Sequence, residues 1–421
     1  QCKGFLEEAA RRKIALVVAP EYCIPWEALR QAVLADHIPG TKALWALGCE
    51  SITLDELDSL ENSFKGRVRV LFEEIDRAEA AKKGFLDPLA YLFHTKDNED
   101  KNVLVLLIQF KTRVSIDAER IEGDNLHCGE SIYIFGTCGK TIRLLSLICS
   151  DAFATDDAIL KEIYHCTLLL HIQLNPNPRH NSFRSYRKYL LDNAAYETEV
   201  VCLNWASNVK EWKEGAAGPK DWKNIGGTAW YLRPDKFNYE DKRLKSNHIG
   251  GLYYTRLKPQ KWHVLFFNYD PAVFLLKTSK VWHHGFPMAQ QNRSGPRLEE
   301  VLRWDQAKSK WISESKSTDG FDTFVTPYGA AVDPLKHLYA TSPIDVERLL
   351  ALTAGRISHP DDWYSVIELD SFAIEESEYI RRITFTQDPE QSCANFRSLR
   401  VRDYVACHCI LFQFTDWPAE L

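Results

Sequence analysis

The chain has 421 residues, of which 45% are apolar and 26% charged, and these ordinary globular values exclude a disordered or collagen-like protein. Its 52 Lys and Arg residues against 58 Asp and Glu residues leave a net charge of −6, which gives no support to nucleic-acid binding. No stretch reaches the roughly 18 consecutive apolar residues of a membrane-spanning helix, and no signal peptide opens the chain.

The first residue and the cysteines of the chain bear on its processing and on the redox compartment in which it works. The sequence begins at Gln1 and its only methionine is Met288, so we expect either a processed protein or an excerpt from a longer one, with additional domains upstream of Gln1 as an open alternative. The eleven cysteines are odd in number and irregularly spaced. That pattern is typical of a reducing compartment rather than of a disulfide framework, so we expect a cytoplasmic protein.

Strands and helices alternate through the first half of the chain, since short apolar runs are separated by amphipathic stretches. Strands are predicted at 14–19, 43–47, 68–72, 89–94, 103–110, 131–135, 142–149, 167–172 and 199–204. Helices are predicted at 5–12, 27–36, 54–64, 156–165 and 182–198. A charged turn at 96–102 predicts a hairpin, so the chain is expected to be an α/β protein with a mixed sheet.

The second half is less regular. Residues 206–226 predict a long loop, and strands are expected at 227–234, 250–257 and 264–277. The pattern breaks near 282–287, which predicts a first domain at 1–280 and an extension of unknown role at 281–421. The extension is expected to be mainly helical α+β, with helices at 297–307, 345–354 and 374–383 and a strand at 404–414.

Three chemically active side chains follow buried apolar runs: Glu21, Lys111 and Cys149. Ligands of α/β sheets bind beyond the carboxyl ends of strands, so these side chains are candidates to converge. A carboxylate can take the proton of a thiol, and an ammonium can stabilise the oxyanion that forms when the thiolate attacks a carbonyl. Each residue alone is better explained structurally: Glu21 as a helix-start acid, Lys111 as a solvated lysine, Cys149 as a packing thiol.

The segments around Glu21 and Cys149 give a more specific indication of what these side chains do together. Ile14-Ala-Leu-Val-Val-Ala-Pro-Glu21 resembles the sequence around the first catalytic residue of the nitrilase, or carbon–nitrogen hydrolase, superfamily. Ile148-Cys149-Ser150-Asp151 is similar to the family's nucleophile segment. Residues 168–176, 195–204 and 226–230 are similar to its later strands and closing Gly-Gly segment, and the order is kept over roughly residues 5–280.

The resemblance implies an αββα sandwich that forms a four-layer core and stacks on a second copy into a homo-oligomer. It implies hydrolysis of a small-molecule amide, ureide or nitrile through a cysteine thioester, without a metal or organic cofactor. Membrane and nucleic-acid partners are not expected. The first strand of the family's fold would lie before Gln1.

The resemblance also assigns roles. Glu21 would be general base and acid, Cys149 the nucleophile, Lys111 the oxyanion stabiliser, and the backbone N–H of Ser150 part of the oxyanion hole. The family's second glutamate matches Glu119, with Glu130 as the fallback. The possible substrate pocket consists of Tyr22, Asp151, Phe153, Asn175, Glu197 and Asn204.

Other functions remain open at this point. The segments that follow Glu21 and Asp151 depart from the family pattern, which leaves the substrate undetermined. The chain could instead be a nitrilase-like module that acts as an assembly or regulatory scaffold, for example in a reverse transcriptase of bacterial antiviral defence. It could also be an acyltransferase. Cys407-His408-Cys409 is not expected to bind a metal, because it has no second pair of ligands at zinc spacing.

Overall fold

A computed structural model of the chain describes residues 1–115, 121–136, 143–153, 167–175, 183, 186–187, 198–205, 209–211, 218–221, 228–232, 252–257, 262–267, 271–277 and 296–313. The chain forms two compact units. The first comprises 1–175, 201–205 and 303–312, and the second comprises the remaining residues.

The first unit contains five short helices: α1 Cys2–Arg11, α2 Trp26–Leu34, α3 Leu54–Ser63, α4 Arg77–Ala80 and α5 Ile121–Asn125, with a 3-10 turn at Cys149–Phe153. The strands of the first half are β1 Leu16–Ile24, β2 Leu44–Cys49, β3 Arg69–Phe72, β4 Pro88–Lys96, β5 Asn102–Phe110, β6 Ile134–Gly136, β7 Arg143–Ile148, β8 Thr167–Gln173 and β9 Glu199–Asn204. Those of the second half are β10 Lys210–Glu211, β11 Lys220–Asp221, β12 Ala229–Leu232, β13 Leu252–Leu257, β14 Trp262–Phe267, β15 Val273–Lys277, β16 Arg297–Asp305 and β17 Lys310–Ser313.

The first sheet has the strand order β1-β2-β4-β5-β3. The strands β1 and β2 are parallel, as are β3 and β5, whereas β4 is antiparallel to both of its neighbours. The predicted hairpin is therefore confirmed as β4 and β5. Because its central strands are buried on both faces, they read as continuous apolar runs rather than alternating ones.

Helices cover one face of this sheet. Apolar side chains of α1, α2 and α3, such as Leu6, Leu29 and Leu57, share one core with Trp45 and Leu106 of the sheet. The helix α3 begins at a capping box, in which Thr53 accepts from the backbone of Glu56 and the Glu56 carboxylate accepts from the backbone of Thr53. This reciprocal pairing satisfies backbone donors that the first turn leaves without partners.

The other face of the first sheet packs on a second sheet. There β6, β7, β8 and β9 follow one another, with β6 antiparallel and β8 parallel to β7. A buried core between the sheets consists of Ala46, Leu89, Tyr91, Leu144, Ile148, Leu170 and Ile172. The first unit is thus a mixed α/β sandwich with a helical layer and two sheets, as predicted. The helix predicted at 156–165 lies outside the described residues. Of the helix predicted at 182–198 only residues 183, 186 and 187 are described, and these are helical.

In the second unit, β14 pairs antiparallel with both β12 and β13. The strands β10 and β11 form a two-stranded antiparallel ribbon within the segment that was predicted to be a loop. The apolar stretch 264–277, predicted as one strand, contains parts of two, β14 and β15.

The helix predicted at 297–307 is wrong, because β16 occupies this segment and pairs antiparallel with β15. Leu298, Val301 and Leu302 have a spacing that is also typical of a helix. The pairing register shifts so that Leu276 faces Leu298 and Leu275 faces Glu300, which leaves Glu299 as an extra residue. Such a bulge breaks the period of two that identifies a strand in a sequence. Residues 314–421 lie outside the described part of the chain, so the boundary at 280 and the helical extension stay predictions.

Within the part of the chain that the structure describes, every helix is too short and too polar to cross a bilayer.

Candidate active site

The three side chains singled out in the sequence lie in the first unit and are buried there. Glu21 belongs to β1, Lys111 follows the last residue of β5, and Cys149 follows β7 at the start of the 3-10 turn. Their exposed fractions are 1%, 0% and 6%. The side chain of Ser115 joins two of them, because its Oγ accepts from the Lys111 Nζ at 3.1 Å and lies 3.9 Å from the Cys149 Sγ.

An irregularity in β1 positions Glu21. The parallel register with β2 pairs Ala19 with Leu47 and then Ile24 with Cys49, so four residues of β1 lie opposite the single residue Gly48. Within this bulge Tyr22 has a φ of +56°. A Cβ on Gly48 would lie 2.1 Å from the Pro20 carbonyl oxygen and 2.7 Å from the Glu21 Cα, so only glycine permits this close approach.

Lys111 carries a buried positive charge among acidic groups. Its Nζ donates to Glu21 Oε1 and to Glu122 Oε1, both at 2.8 Å, and lies 3.5 Å from Asp87 Oδ2. Burial would lower the pKa of the Lys111 ammonium, but the acidic groups around it, with Glu21 the largest contributor, hold that pKa well above its ordinary value. The ammonium is therefore charged over the whole range in which an enzyme works.

Glu122, a residue that the sequence did not single out, contacts Lys111, and the assignment of the family's second glutamate to Glu119 stays a prediction. Glu122 Oε1 accepts from Lys111, and its Oε2 accepts from the backbone N–H of Ser115 at 2.7 Å. Glu119 lies outside the described residues. The fallback, Glu130, lies on the surface, where its backbone N–H donates to the Glu73 carboxylate. Glu119 and Glu122 are three residues apart in one stretch, and no feature of the sequence distinguishes them.

Cys149 is held in an unusual backbone conformation, with a φ of +42°. Its carbonyl oxygen lies 2.8 Å from Nε2 of the buried His171, and Nδ1 of this ring lies 3.2 Å from the Gln173 side-chain nitrogen. A carbonyl oxygen can only accept, so Nε2 of His171 carries a hydrogen and donates to the carbonyl of Cys149. In the neutral ring Nδ1 then accepts from the Gln173 side-chain amide.

The resting thiol of Cys149 is neutral. Burial raises its pKa, the charge of Glu21 raises it further, and Lys111 only partly offsets them. A nucleophile in this setting needs a base that removes the proton as it attacks. Glu21 is the acidic group with the largest charge effect on this thiol.

The carboxylate of Asp151 accepts hydrogen bonds from the backbone after Lys111 and from the backbone before Cys149, and we call this arrangement the Asp151 clamp. Its Oδ1 accepts from the backbone N–H of Thr112 at 2.8 Å, from the Thr112 hydroxyl at 2.9 Å and from the backbone N–H of Arg113 at 3.1 Å. Its Oδ2 accepts from the backbone N–H of Ile148 at 3.1 Å. Burial raises the pKa of this carboxyl to about 6. The residues next to Lys111 and Cys149 are thereby held by one side chain.

We expect the substitution Asp151→Asn to lower the free energy of unfolding by about 1–3 kcal/mol. Either orientation of the amide turns its NH2 group towards backbone N–H donors, and an amide nitrogen cannot accept, whereas both oxygens of a carboxyl can. Urea denaturation measures the loss. The matched control is Asp76→Asn at the start of α4, where the exposed Asp76 accepts from Ala78 and Glu79 and asparagine caps a helix equally well. Equal, small effects of both substitutions would contradict the clamp.

The remaining predicted pocket residues are placed as follows. The Tyr22 hydroxyl lies 3.5 Å from Glu122 Oε1. The carbonyl oxygen of Phe153 accepts from the Arg113 guanidinium at 2.5 Å. Asn175 and Asn204 bond each other, since the Asn175 backbone N–H donates to Asn204 Oδ1 at 2.9 Å and Asn204 Nδ2 donates to the Asn175 carbonyl at 2.8 Å.

Contact of these pocket residues with a substrate stays a prediction, as does the role of the Ser150 backbone N–H in an oxyanion hole. The Ser150 hydroxyl donates to the Arg113 carbonyl. Glu197 lies outside the described residues.

No protein-family model and no curated protein sequence matches this chain. Among solved structures, an amidase from Nesterenkonia sp. is 13% identical over 54% of this chain and 73% of its own, with a TM-score of 0.28. A CN-hydrolase superfamily protein from Xanthomonas campestris is 12% identical over 48% of this chain and 66% of its own, also with a TM-score of 0.28. The glutamine-dependent NAD+ synthetase from Acinetobacter baumannii is 12% identical over 50% of this chain, with a TM-score of 0.26.

The chain spans only 36% of the synthetase and 66% of the Xanthomonas protein. It is thus similar to nitrilase-superfamily proteins over about half of its length. The TM-scores are low, so a function has to be argued from the geometry of the site itself.

Proposed function

We propose that this chain hydrolyses a carbon–nitrogen bond of a small amide or nitrile, with Cys149 as nucleophile. The observation that carries the proposal is a buried ammonium, Lys111, shared by the carboxylates of Glu21 and Glu122 beside a cysteine with positive φ. Burying several charges costs several kcal/mol each, and strongly perturbed titratable groups of this kind cluster at functional sites.

The first half of the proposed reaction consumes the thiol. Glu21 takes the proton of Cys149 as the sulfur attacks the carbonyl carbon of an amide, which forms a carbon–sulfur bond and moves an electron pair onto the oxygen. Lys111 and the backbone N–H of Ser150 stabilise this oxyanion. Glu21 then gives the same proton to the nitrogen, so the carbon–nitrogen bond breaks, the amine leaves and a thioester remains.

The second half restores the enzyme. Glu21, again a carboxylate, takes a proton from a water molecule that attacks the thioester carbonyl. The carbon–sulfur bond breaks, the acid leaves, and the proton returns to the sulfur of Cys149. Glu122 holds Lys111 in place in both halves through its bond to Nζ. With a nitrile, the sulfur would attack the nitrile carbon to form a thioimidate. Water would add to the thioimidate, ammonia would leave, and the same thioester would remain.

Transfer of the acyl group to an amine instead of water is the related alternative, since it differs only in what attacks the thioester. The homo-oligomer expected from the family resemblance also remains part of the proposal. Metal chemistry is not needed for any step described.

The experiment that tests the proposal is intact mass spectrometry after brief exposure to iodoacetamide. We expect one rapid addition in the wild-type protein and none at that site in Cys149→Ala. In Glu21→Gln the addition should be slowed by about tenfold or more, because no base then takes the thiol proton as the sulfur attacks. The matched control is Cys128→Ala, which removes a half-buried thiol other than the proposed nucleophile and should keep the rapid addition.

A panel of short amides and nitriles then tests turnover by release of ammonia. Trapping with hydroxylamine separates the acyl-enzyme from simple thiol reactivity, because only a thioester yields a hydroxamate. If Cys149 reacts no faster than the other cysteines and no substrate yields a hydroxamate, the hydrolase proposal is wrong. The scaffold function would then be the better hypothesis.

A further inference from the structure

Asp87 is a third carboxyl group at the site. It lies directly before β4, and its backbone carbonyl accepts from the backbone N–H of Lys111 at 2.9 Å. Carboxylate oxygens of Glu21, Asp87 and Glu122 all lie within 4.8 Å of one another. The Lys111 ammonium lies between them, so three carboxyl groups surround one positive charge.

The hydrogen bonds are divided unequally among these acids. Glu21 accepts from Lys111 and from the backbone N–H of Leu174. Glu122 accepts from Lys111 and from the backbone N–H of Ser115. Asp87 is 1% exposed, and within the described residues neither of its side-chain oxygens has a hydrogen-bond partner. Its side chain only approaches the Lys111 Nζ at 3.5 Å, as an ion-pair contact.

This inequality indicates where a proton is held. Three ionised carboxylates around one ammonium would leave an excess of negative charge in a buried place, and a buried anion without hydrogen bonds is strongly disfavoured. A proton on one carboxyl removes the excess and turns a repulsive contact into a charge-assisted hydrogen bond. The carboxyl that gains most is the one that no donor stabilises as an anion.

We infer that Asp87 is a neutral carboxylic acid in the folded protein at neutral pH, and that its ionisation sets the alkaline limit of the site. The first statement stands on the geometry alone, whereas the second rests on the proposed function. Asp87 acts through Lys111 and Glu21, and it is therefore a positioning residue rather than a catalytic one.

The ionisable groups that face Asp87 come from several elements: Glu21 and Tyr22 of β1, Cys49 of β2, Lys111 after β5 and Glu122 of α5. Burial raises the pKa of Asp87 well above its ordinary value, and the charge of Glu21 raises it further. An acid with a raised pKa is neutral below that pKa and charged above it. When it ionises at alkaline pH, it competes with Glu21 for Lys111 and adds a negative charge that disfavours the thiolate of Cys149.

Infrared spectroscopy of the wild-type protein tests the first statement without any variant. We expect a carboxylic-acid carbonyl band at neutral pH that shifts when aspartate carries carbon-13 in its carboxyl group and stays when glutamate carries it. The band should vanish in Asp87→Asn. Asp151→Asn is the control, because Asp151 titrates at about 6 and should contribute an aspartic-acid band only at lower pH. A wild-type spectrum with no aspartic-acid band at neutral pH would overturn the inference.

The rate of Cys149 alkylation against pH tests the second statement. We divide the alkylation rate of Asp87→Asn by that of the wild type at each pH. We expect this ratio to rise by about tenfold as Asp87 ionises in the wild type, which corresponds to a change of one unit in the pKa of the Cys149 thiol. A ratio that is constant over the alkaline range would mean that Asp87 does not limit the site. If the acid band is present and no protein labels rapidly at Cys149, the proposed function fails while the placement of the proton stands.

Discussion

Replacing Lys111 with methionine is expected to lower the free energy of unfolding at neutral pH by about 3–5 kcal/mol, the usual effect of removing one partner from a buried charge cluster. Methionine fills a similar volume, so the loss is electrostatic rather than a matter of packing. The substitution leaves the buried carboxylate of Glu21 and the partly buried one of Glu122 without their shared cation. We also expect rapid alkylation of Cys149 to disappear.

The pH dependence of this loss has a definite sign. The pKa of Lys111 in the folded protein lies above its unfolded value, so its stabilising contribution is complete below the ordinary lysine pKa and is lost as pH rises through the folded pKa. The difference in unfolding free energy between wild type and Lys111→Met should therefore be largest at neutral pH and shrink as the pH rises beyond the ordinary lysine pKa.

Urea denaturation at several pH values measures both effects. Lys82→Met is the matched control, because Lys82 pairs with Glu79 on the surface with 66% of its side chain exposed, and such a pair contributes at most about 1 kcal/mol. A loss for Lys111→Met that is the same at every pH would show that packing, not charge, explains it.

The second large effect is expected for Gly48→Ala. The added Cβ would overlap the Pro20 carbonyl oxygen at 2.1 Å and the Glu21 Cα at 2.7 Å, and both contacts are with backbone. The strands β1 and β2 must then separate locally, at an expected cost of about 3 kcal/mol or more, since overpacking a core usually costs 1–3 kcal/mol. Because the displaced residue is Glu21, alkylation of Cys149 should slow by at least about tenfold in the molecules that still fold.

Denaturation and alkylation of the same samples check this expectation. Gly40→Ala is the control, since a Cβ at Gly40 meets nothing within 4 Å and the substitution should change the unfolding free energy by at most about 1 kcal/mol. A Gly48→Ala protein that keeps both its stability and its rapid labelling would show that the bulge in β1 can be rebuilt without loss.

Much of the first unit could be predicted from the sequence, because its central strands, such as β2, β5 and β7, are buried on both faces and produce apolar runs of strand length. The end of each run marks a position at one edge of a sheet, which is why Lys111 and Cys149 could be identified from residue type and location. Glu21 could be identified from the same pattern, although it lies inside β1 rather than beyond it.

Other features depend on contacts between distant residues that leave no local pattern. The bulge that positions Glu21 is visible only once Gly48 of the neighbouring strand is placed against it. Glu122 could not be distinguished from Glu119 because the choice depends on how the chain after Lys111 folds back. Asp87 was overlooked because an aspartate before an apolar run is ordinary at a strand start. The strand β16 was misread because its bulge gives apolar residues a helical spacing.

The Asp151 clamp has a consequence for how this site could change in evolution. One carboxylate binds the backbone on both sides of the segment that separates Lys111 from Cys149. Insertions and deletions in those loops of the segment that carry neither Ser115 nor Glu122 therefore need not move Lys111 or Cys149. The entropic cost of closing a loop grows only slowly with its length, so a designer could graft a new loop there with little risk to the chemistry.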